Sequence, residues 1–353
     1  MKHLNFGVIG VGEMGKFHAE TLRYHVPGAR LIAVADVNLA RAQAVAAELQ
    51  IESFYDDAES LLARTDVDAV VISSPAKSHG PTIRLAAAAR KHIFCEKPLT
   101  ITLEDADSAL DAVSDAGVIL QVGHMRRYDP AYAEAKRRID KGEIGRIVLF
   151  KSIGRDYHTP ASAATQIDLN GTLFHDSSSH DFDLARWLAN DEVIEVTAYA
   201  GCLAIPETER VGGFDAGVVN LQFAGGAIGN VESFIDARYG YDVRTEIVGT
   251  LGTIQVGSVV RTPITVLTRD GNTNDLVKHW LERFADAYRL ELRDFVTNVL
   301  AGRPIRVTGH DGRQSLAIAD AAMRSHFERR PVSVQITRVS EPQPGRPLGQ
   351  AVV

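Results

Sequence analysis

Cysteine is nearly absent from this chain of 353 residues, in which Cys95 and Cys202 are the only two. Two isolated cysteines supply neither a disulfide framework nor the C-x-x-C pairing of a zinc site. Lysine and arginine do not gather into blocks, and the formal net charge of -7 argues against a nucleic-acid surface. No apolar run reaches the roughly 20 residues that cross a bilayer. The opening MKHLNFGVIG runs straight into a glycine loop with no signal-peptide cleavage pattern. These absences lead to the expectation of a cytoplasmic protein with no nucleic-acid partner and no membrane partner.

What remains is ordinary globular material, 45% hydrophobic and 24% charged. The length exceeds one comfortable core, so two domains are expected. From the start, short apolar runs alternate with helical stretches. LNFGVIG, ARLIAVADV, VDAVVISSP, HIFCEKP and VILQVGH read as strands, separated by alanine-rich amphipathic segments. That rhythm describes βαβ units on a parallel sheet. After residue 124 it changes. RIVLFKSIG, VIEVTAYAG and VVNLQF are strand-like, and in the last Val219, Leu221 and Phe223 alternate with Asn220 and Gln222. AGGA at 224–227 is a hairpin signal. Two long amphipathic helices are expected at 279–302 and 312–330. The predicted fold is α/β: an N-terminal Rossmann dinucleotide-binding domain (1–123), then a C-terminal α+β domain with a large, mostly antiparallel open sheet (124–337). A Pro/Gly-rich tail (338–353) follows.

Gly10-Val11-Gly12-Glu13-Met14-Gly15 is a G-x-G-x-x-G loop that follows a strand and opens a helix, the context in which the motif has meaning. Gly10 permits the tight turn, Gly12 lets backbone approach a pyrophosphate, and Gly15 lets helix and strand pack closely. Asp36 ends the second strand, 21 residues beyond Gly15, where a carboxylate accepts from a ribose 2′-OH and repels a 2′-phosphate. Neither Val37 nor Asn38 is the arginine that NADP calls for, so NAD is the expected cofactor.

Residues 175–183 read HDSSSHDFD, two histidines and three aspartates in nine positions. A metal-dependent hydrolase is one reading of such a set. At about 100° per residue on a helix, Asp176, His180 and Asp183 form one stripe, while His175 and Asp181 lie off it. No third His or Cys ligand has suitable spacing, so no metal is expected. Oxidation of a secondary alcohol needs a base near the hydroxyl and a cation that favours the developing alkoxide. His180 suits the first task and Lys97, at a strand end, the second; Asp176 suits a neighbouring hydroxyl.

Glu96-Lys97-Pro98 after this glycine loop resembles the glucose–fructose oxidoreductase / inositol dehydrogenase / MocA family of sugar dehydrogenases. SSPAKSH (73–79), VGHMRRYDPAY (122–132), FHDSSSHDFDLARWL (174–188) and ERFADAYRLELRDF extend the resemblance over nearly the whole chain. The chain looks most like the inositol 2-dehydrogenase branch. One departure is Gly154-Arg155-Asp156, where some inositol dehydrogenases carry His-Arg-Asn. The resemblance implies Lys97, Asp176 and His180 as the catalytic set, with Asp183 orienting the histidine. It also implies cofactor contacts from Gly10, Gly12, Glu13, Met14, Gly15, Asp36 and Val37. Ser74, Pro75, His79, Glu96, Lys97, Met125 and Arg126 join that cofactor set. For a polyol or sugar substrate it implies Lys97, Arg126, Asp156, Asp176, His180, Tyr241 and Tyr288. The expected reaction is NAD-dependent oxidation of a ring secondary alcohol of a cyclitol or pyranose. Alternatives within the family are another sugar or glycoside dehydrogenase or reductase, an NAD-dependent glycosidase, and a sensor that binds NAD without turnover. A homo-tetramer or dimer paired through the antiparallel sheet is expected by the same resemblance.

Overall fold

The structure, a computed structural model, describes residues 3–337. The expected tail at 338–353 lies outside them. The chain divides into two compact units. The first holds the residues up to His124, together with Tyr288–Leu316 and Thr337; the second holds Met125–Ala287 and Ala317–Ile336.

The first unit follows the βα alternation read from the sequence. Its elements are β1 (Leu4–Ile9), α1 (Glu13–Tyr24), β2 (Ala29–Ala35), α2 (Leu39–Leu49), β3 (Ser53–Tyr55), α3 (Ala58–Leu62) and β4 (Ala69–Ile72), then α4 (His79–Ala88), β5 (His92–Glu96), α5 (Leu103–Ala116) and β6 (Leu120–Gly123). The strands lie in the order β3-β2-β1-β4-β5-β6 and every pairing is parallel. Strand order reverses between β1 and β4, the point at which open α/β sheets take their ligands. β4, AVVI, is buried along its whole length, as a parallel strand covered on both faces must be. Helix starts are fixed by side chains: Asn38 accepts from the Arg41 N–H and Thr102 from that of Asp105. Such caps are worth about 1 kcal/mol each.

Two expectations need correction here. The sheet has a sixth strand, β3, because three partly buried residues pair with β2. In addition, Tyr288–Leu316 returns to the first unit instead of staying in the second. Leu292, Phe295, Val296 and Val299 enter the same core as Phe6, Val8 and Phe94. The ring of Phe295 meets Phe6 edge-on at 6.2 Å and Phe94 at 6.0 Å.

The second unit contains α6 (Pro130–Asp140), β7 (Ile147–Arg155), α7 (Pro160–Asn170), α8 (Leu173–Asp176), α9 (Ser179–Ala189), β8 (Val193–Gly201), β9 (Ala216–Phe223) and β10 (Ile228–Phe234). β11 (Asp242–Gly249), β12 (Thr253–Val256), β13 (Val266–Thr268) and β14 (Gly271–Thr273) follow. The helix α10 (Trp280–Ala301) begins here, α11 (Gly309–Glu328) ends here, and β15 (Val332–Ser333) closes the described chain. The large sheet runs β12-β11-β7-β10-β9-β8-β15. Its β7–β10 pair is parallel and the other pairs among the described residues are antiparallel. In β9, Val219, Leu221 and Phe223 are buried and Val218, Asn220 and Gln222 exposed, as the alternation predicts. The AGGA turn forms, with Gly226 at φ 86°. α9 covers β7 and β10 on the buried face. On the other face Leu149, Tyr199, Val218 and Ile228 are exposed, with Ile228 beside Leu149 and Val218 beside Tyr199 in register.

Candidate functional site

In the first unit the expected cofactor residues collect at the carboxyl ends of the strands. Gly10 has φ 83°, and a Cβ there would lie 2.5 Å from the Ser74 nitrogen. A Cβ on Gly15 would lie 1.8 Å from the Gly10 oxygen, so only glycine lets α1 approach β1 this closely. At Gly12 nothing stands within 4 Å of such a Cβ. Gly12 also caps α1 without a side chain, so the first N–H groups of the helix stay available to an anion. A dinucleotide pyrophosphate at the start of α1 fits this opening. Glu13 is exposed and Met14 half-buried at its rim.

Asp36 is 7% exposed, and its carboxylate accepts from the Val11 N–H at 2.9 Å and the Asn38 N–H at 2.9 Å. The acid thus stitches the glycine loop to the end of β2. Val37 points away from packing, at 94% exposure. Arg41 was missed by sequence reasoning: its Nη1 lies 3.4 Å from Asp36 Oδ2. It sits in the first turn of α2, one helical step beyond the neighbours that a scan for an NADP arginine covers.

Lys97 follows β5, half-buried, and its backbone N–H donates to Glu96 Oε2 at 3.1 Å. Glu96 is itself buried and its Oε1 lies 2.6 Å from His18 Nε2. His79 proves to be a brace in the described structure. It is 1% exposed, with Nδ1 2.8 Å from the Pro98 oxygen and Nε2 2.7 Å from the Ser74 oxygen. Burial pulls its pKa down more strongly than the carbonyls pull it up, favouring a neutral ring that donates to one of them. Ser74, whose Oγ accepts from Ser78 at 2.8 Å, and exposed Pro75 are held in place by this link. Tyr288 departs from its expected place beside a sugar. Its ring is 4% exposed and packs edge-on against Phe17 at 5.9 Å and His18 at 6.0 Å.

The second unit holds the other half of the expected set. The single helical stripe of Asp176, His180 and Asp183 is interrupted: α8 ends at Asp176 and α9 begins at Ser179. The Ser178 N–H donates to the Leu173 oxygen, five residues back, so the turn is wider than the regular helix assumed. Asp183 spends both oxygens on Arg127, at 2.8 Å from Nε and 2.5 Å from Nη2, which replaces its expected duty toward His180. Asp181 is fully buried, accepting from Arg126 at 2.6 Å and from Ser152 Oγ at 2.5 Å. Arg126, expected at cofactor and substrate, is therefore 3% exposed inside an ion pair. Met125 beside it is 1% exposed. His180 is 7% exposed.

Asp176 lines a small cleft with His158, Gln166, Thr172 and Ile235. His158 Nε2 lies 3.4 Å from Asp156 Oδ2, which brings Asp156 to the same region of the unit. No motif signals His158 or Gln166 in the sequence. Tyr241 is 6% exposed, its ring edge-on to Phe284 at 6.1 Å. Burial is the main cause that raises its hydroxyl pKa, opposed by Arg126. Gly154 has a packing reason to lack a side chain, because a Cβ would come within 3.3 Å of Asp181 Oδ2.

The strand order, the glycine loop and the strand-end acid define a dinucleotide-binding unit joined to an open-sheet domain. Residues 4–124 match the NAD-binding Rossmann fold of the Gfo/Idh/MocA oxidoreductase family, and residues 136–334 match that family's C-terminal alpha/beta domain. The chain belongs to this family and is an NAD-dependent oxidoreductase. It is 40% identical to the scyllo-inositol 2-dehydrogenase (NAD(+)) of Bacillus subtilis, over 96% of this chain and 98% of that one. It is 35% identical to the myo-inositol 2-dehydrogenase of Thermotoga maritima, over 94% of this chain and 99% of the other. Among solved structures it resembles scyllo-inositol dehydrogenase from Lactobacillus casei with bound NAD(H) and scyllo-inositol. There the TM-score is 0.89 at 30% identity, covering 94% of this chain and 99% of that chain. No helix among the described residues is long and apolar enough to cross a membrane.

Proposed function

We propose that this chain oxidises a ring secondary alcohol of a cyclitol to the ketone with NAD as acceptor, as an inositol 2-dehydrogenase does. The observation that carries this reading is the near-complete alignment with a scyllo-inositol 2-dehydrogenase at 40% identity. NAD, when bound, supplies the hydride acceptor at nicotinamide C4. His180 is the base for the hydroxyl proton. Lys97 is the cation that favours the developing alkoxide. Asp176 accepts a hydrogen bond from the neighbouring hydroxyl, and the polar groups beside it, His158 and Gln166, suit a polyol better than an apolar substrate. Asp36 is the ligand of the ribose 2′-OH. Asp156 and Tyr241 belong to the substrate region, whereas Arg126 acts by holding Asp181. Homo-oligomer formation through the outer sheet face, where Leu149, Tyr199, Val218 and Ile228 are exposed, completes the reading.

The test is a panel of inositols, pyranoses and a glycoside assayed for accumulation of NADH. Net NADH from scyllo- or myo-inositol is expected. Glycoside cleavage without net NADH would replace the reading with a glycosidase. In the same assay Lys97→Ala and His180→Ala should each lower turnover at least roughly 100-fold with NAD binding largely kept. Near-wild-type turnover in either variant would remove that residue from the mechanism.

A further inference from the structure

Behind Lys97 lies a polar group that the proposed chemistry does not use. His18 (α1), Glu96 (β5) and Glu291 (α10) are 0%, 7% and 0% exposed. Their ligand atoms all lie within 4.8 Å of one another. His18 Nε2 lies 2.6 Å from Glu96 Oε1, and Glu96 Oε2 accepts the Lys97 N–H at 3.1 Å. Both carboxylate oxygens of Glu291 are buried without a hydrogen-bond partner, and so is His18 Nδ1. The rings of Phe94 at 5.4 Å, Tyr288 at 6.0 Å and Phe17 at 6.3 Å surround the imidazole. Two ionised carboxylates this close, in an apolar enclosure with one imidazole beside them, are strongly disfavoured.

We propose that Glu291 is held as the neutral acid and serves as hydrogen-bond donor to Glu96, making His18–Glu96–Glu291 one proton-sharing cluster that positions Lys97. Glu96 is then gripped from two sides. One oxygen is tied to α1, the helix that opens at the glycine loop, and the other is tied to the Lys97 amide. The cluster thereby couples the phosphate-binding helix to the strand end that presents the lysine. Gly123 closes the space, since a Cβ there would stand 3.0 Å from Glu96 Oε2. The groups around Glu291 come from α1, β5, β6 and its own helix. α1 contributes His18, and β5 contributes Glu96 with Cys95 and Lys97 on either side. β6 contributes Gln121, which donates to the Glu291 backbone oxygen at 3.3 Å. On its own helix Tyr288 and Arg289 are near, Arg289 lying over the Phe17 ring at 5.7 Å. Burial, then the charge of Glu96, pushes the Glu291 carboxyl well above its ordinary range.

The positioning role rests on the dehydrogenase reading, but the protonation does not, and the test separates them. Melting temperature is followed from about pH 5 to about pH 8 for wild type, Glu291→Gln and Glu291→Leu, beside steady-state kinetics and metal analysis of the purified protein. A neutral native Glu291 must take up a proton on folding at these pH values, so wild type loses stability as pH rises above the unfolded value. Glu291→Gln keeps a donor without that uptake. Its melting temperature should match wild type at the acid end and exceed it increasingly toward alkaline pH, with kcat within about threefold. Glu291→Leu removes the donor and should lower kcat about tenfold or more with KM for NAD little changed. A Glu291→Gln protein that is less stable at every pH would overturn the protonation. Equal kcat in all three proteins would overturn the positioning. Stoichiometric divalent metal in wild type, lost in Glu291→Gln, would replace the proton by a cation. Should wild type reduce NAD with no cyclitol or sugar, the dehydrogenase reading fails while the melting comparison still decides the state of Glu291.

Discussion

Replacing Asp36 by alanine tests the cofactor site at the point where one side chain has two jobs. The carboxylate holds the Val11 and Asn38 N–H groups at 2.9 Å each, and it is the proposed acceptor for the ribose 2′-OH. A hydrogen bond to a charged group is worth about 1.5–3 kcal/mol, so kcat/KM for NAD should fall roughly 10- to 150-fold. Arg41, which is 3.4 Å from the carboxylate and half exposed, is released by the same change. The pair it leaves is long at 3.4 Å and open to solvent on the arginine side, so releasing it costs little, about 1 kcal/mol. A free guanidinium beside the ribose favours a 2′-phosphate, and the repulsion from Asp36 is gone. The ratio of kcat/KM for NAD over NADP should therefore drop by about two orders of magnitude or more. Asp36→Ser is the control, because its hydroxyl can still accept from one main-chain N–H. Steady-state kinetics with both dinucleotides, beside a melting curve for each variant, reads the two jobs apart. A large loss of melting temperature with the NAD/NADP ratio unchanged within about threefold would show that Asp36 serves only the backbone, and the reasoning would be refuted.

Arg127→Ala leaves Asp183, whose side chain is 1% exposed, as an uncompensated buried charge. Denaturant unfolding should register a loss of about 3–5 kcal/mol, and a loss under about 1 kcal/mol would contradict the buried ion pair. His175 supplies a pH dependence. Burial pushes its pKa down to about 4 from 6.5, so the native state binds fewer protons than the unfolded chain in that interval. Stability is then full above pH 6.5 and declines as pH falls toward about 4, by up to about 3 kcal/mol for this half-buried ring. His175→Gln should flatten that part of the stability curve, and an unchanged curve would show that the ring titrates normally. On the outer sheet face, Leu149→Asp with Ile228→Asp places two charges side by side where both side chains are exposed in the single chain. Light scattering should record a smaller assembly than wild type, and an unchanged mass would rule this face out as the contact.

The first unit was legible because its constraints act on the backbone. Gly10 and Gly15 are required by φ and by a 1.8 Å approach, and those requirements show directly as a motif. The β9–β10 hairpin was legible because alternation and AGGA point to the same register. β3 was not, since Ser53–Tyr55 is too short to establish a period. The long amphipathic helix at 280–301 was read as a helix, but periodicity reports that a face is buried and not which core covers it. Its second half proves to lie against Phe6 and Phe94. Helix phase misled at Asp183 because the chain takes a wide turn at Ser177–Ser178, and a five-residue hydrogen bond resets the angles that regular spacing assumes. Arg41 and His158 escaped for a different reason: each reaches its carboxylate, Asp36 or Asp156, through space and belongs to no recurring spacing.

HDSSSHDFD carries more polar groups than any one reaction can use, and the structure accounts for the surplus. Asp181 and Asp183 are matched by Arg126 and Arg127, two consecutive residues 55 and 56 positions earlier. The Arg-Arg pair and the Asp-x-Asp pair are thus two halves of one buried lock within the second unit. A buried ion pair adds little net stability over an apolar substitute, yet it tolerates only one geometry, since an unmatched member is costly. That property is of little use in a general core and of great use beside the residue proposed as the base. His180 immediately precedes the two locked aspartates in sequence, in the first turn of α9, so the helix that carries it is fixed from the residue that follows. The same matching argues against a metal cage, because a cation would compete with two guanidinium groups already in place. The two residues of this stretch proposed for the chemistry are Asp176, which lines the cleft, and His180, at the start of α9.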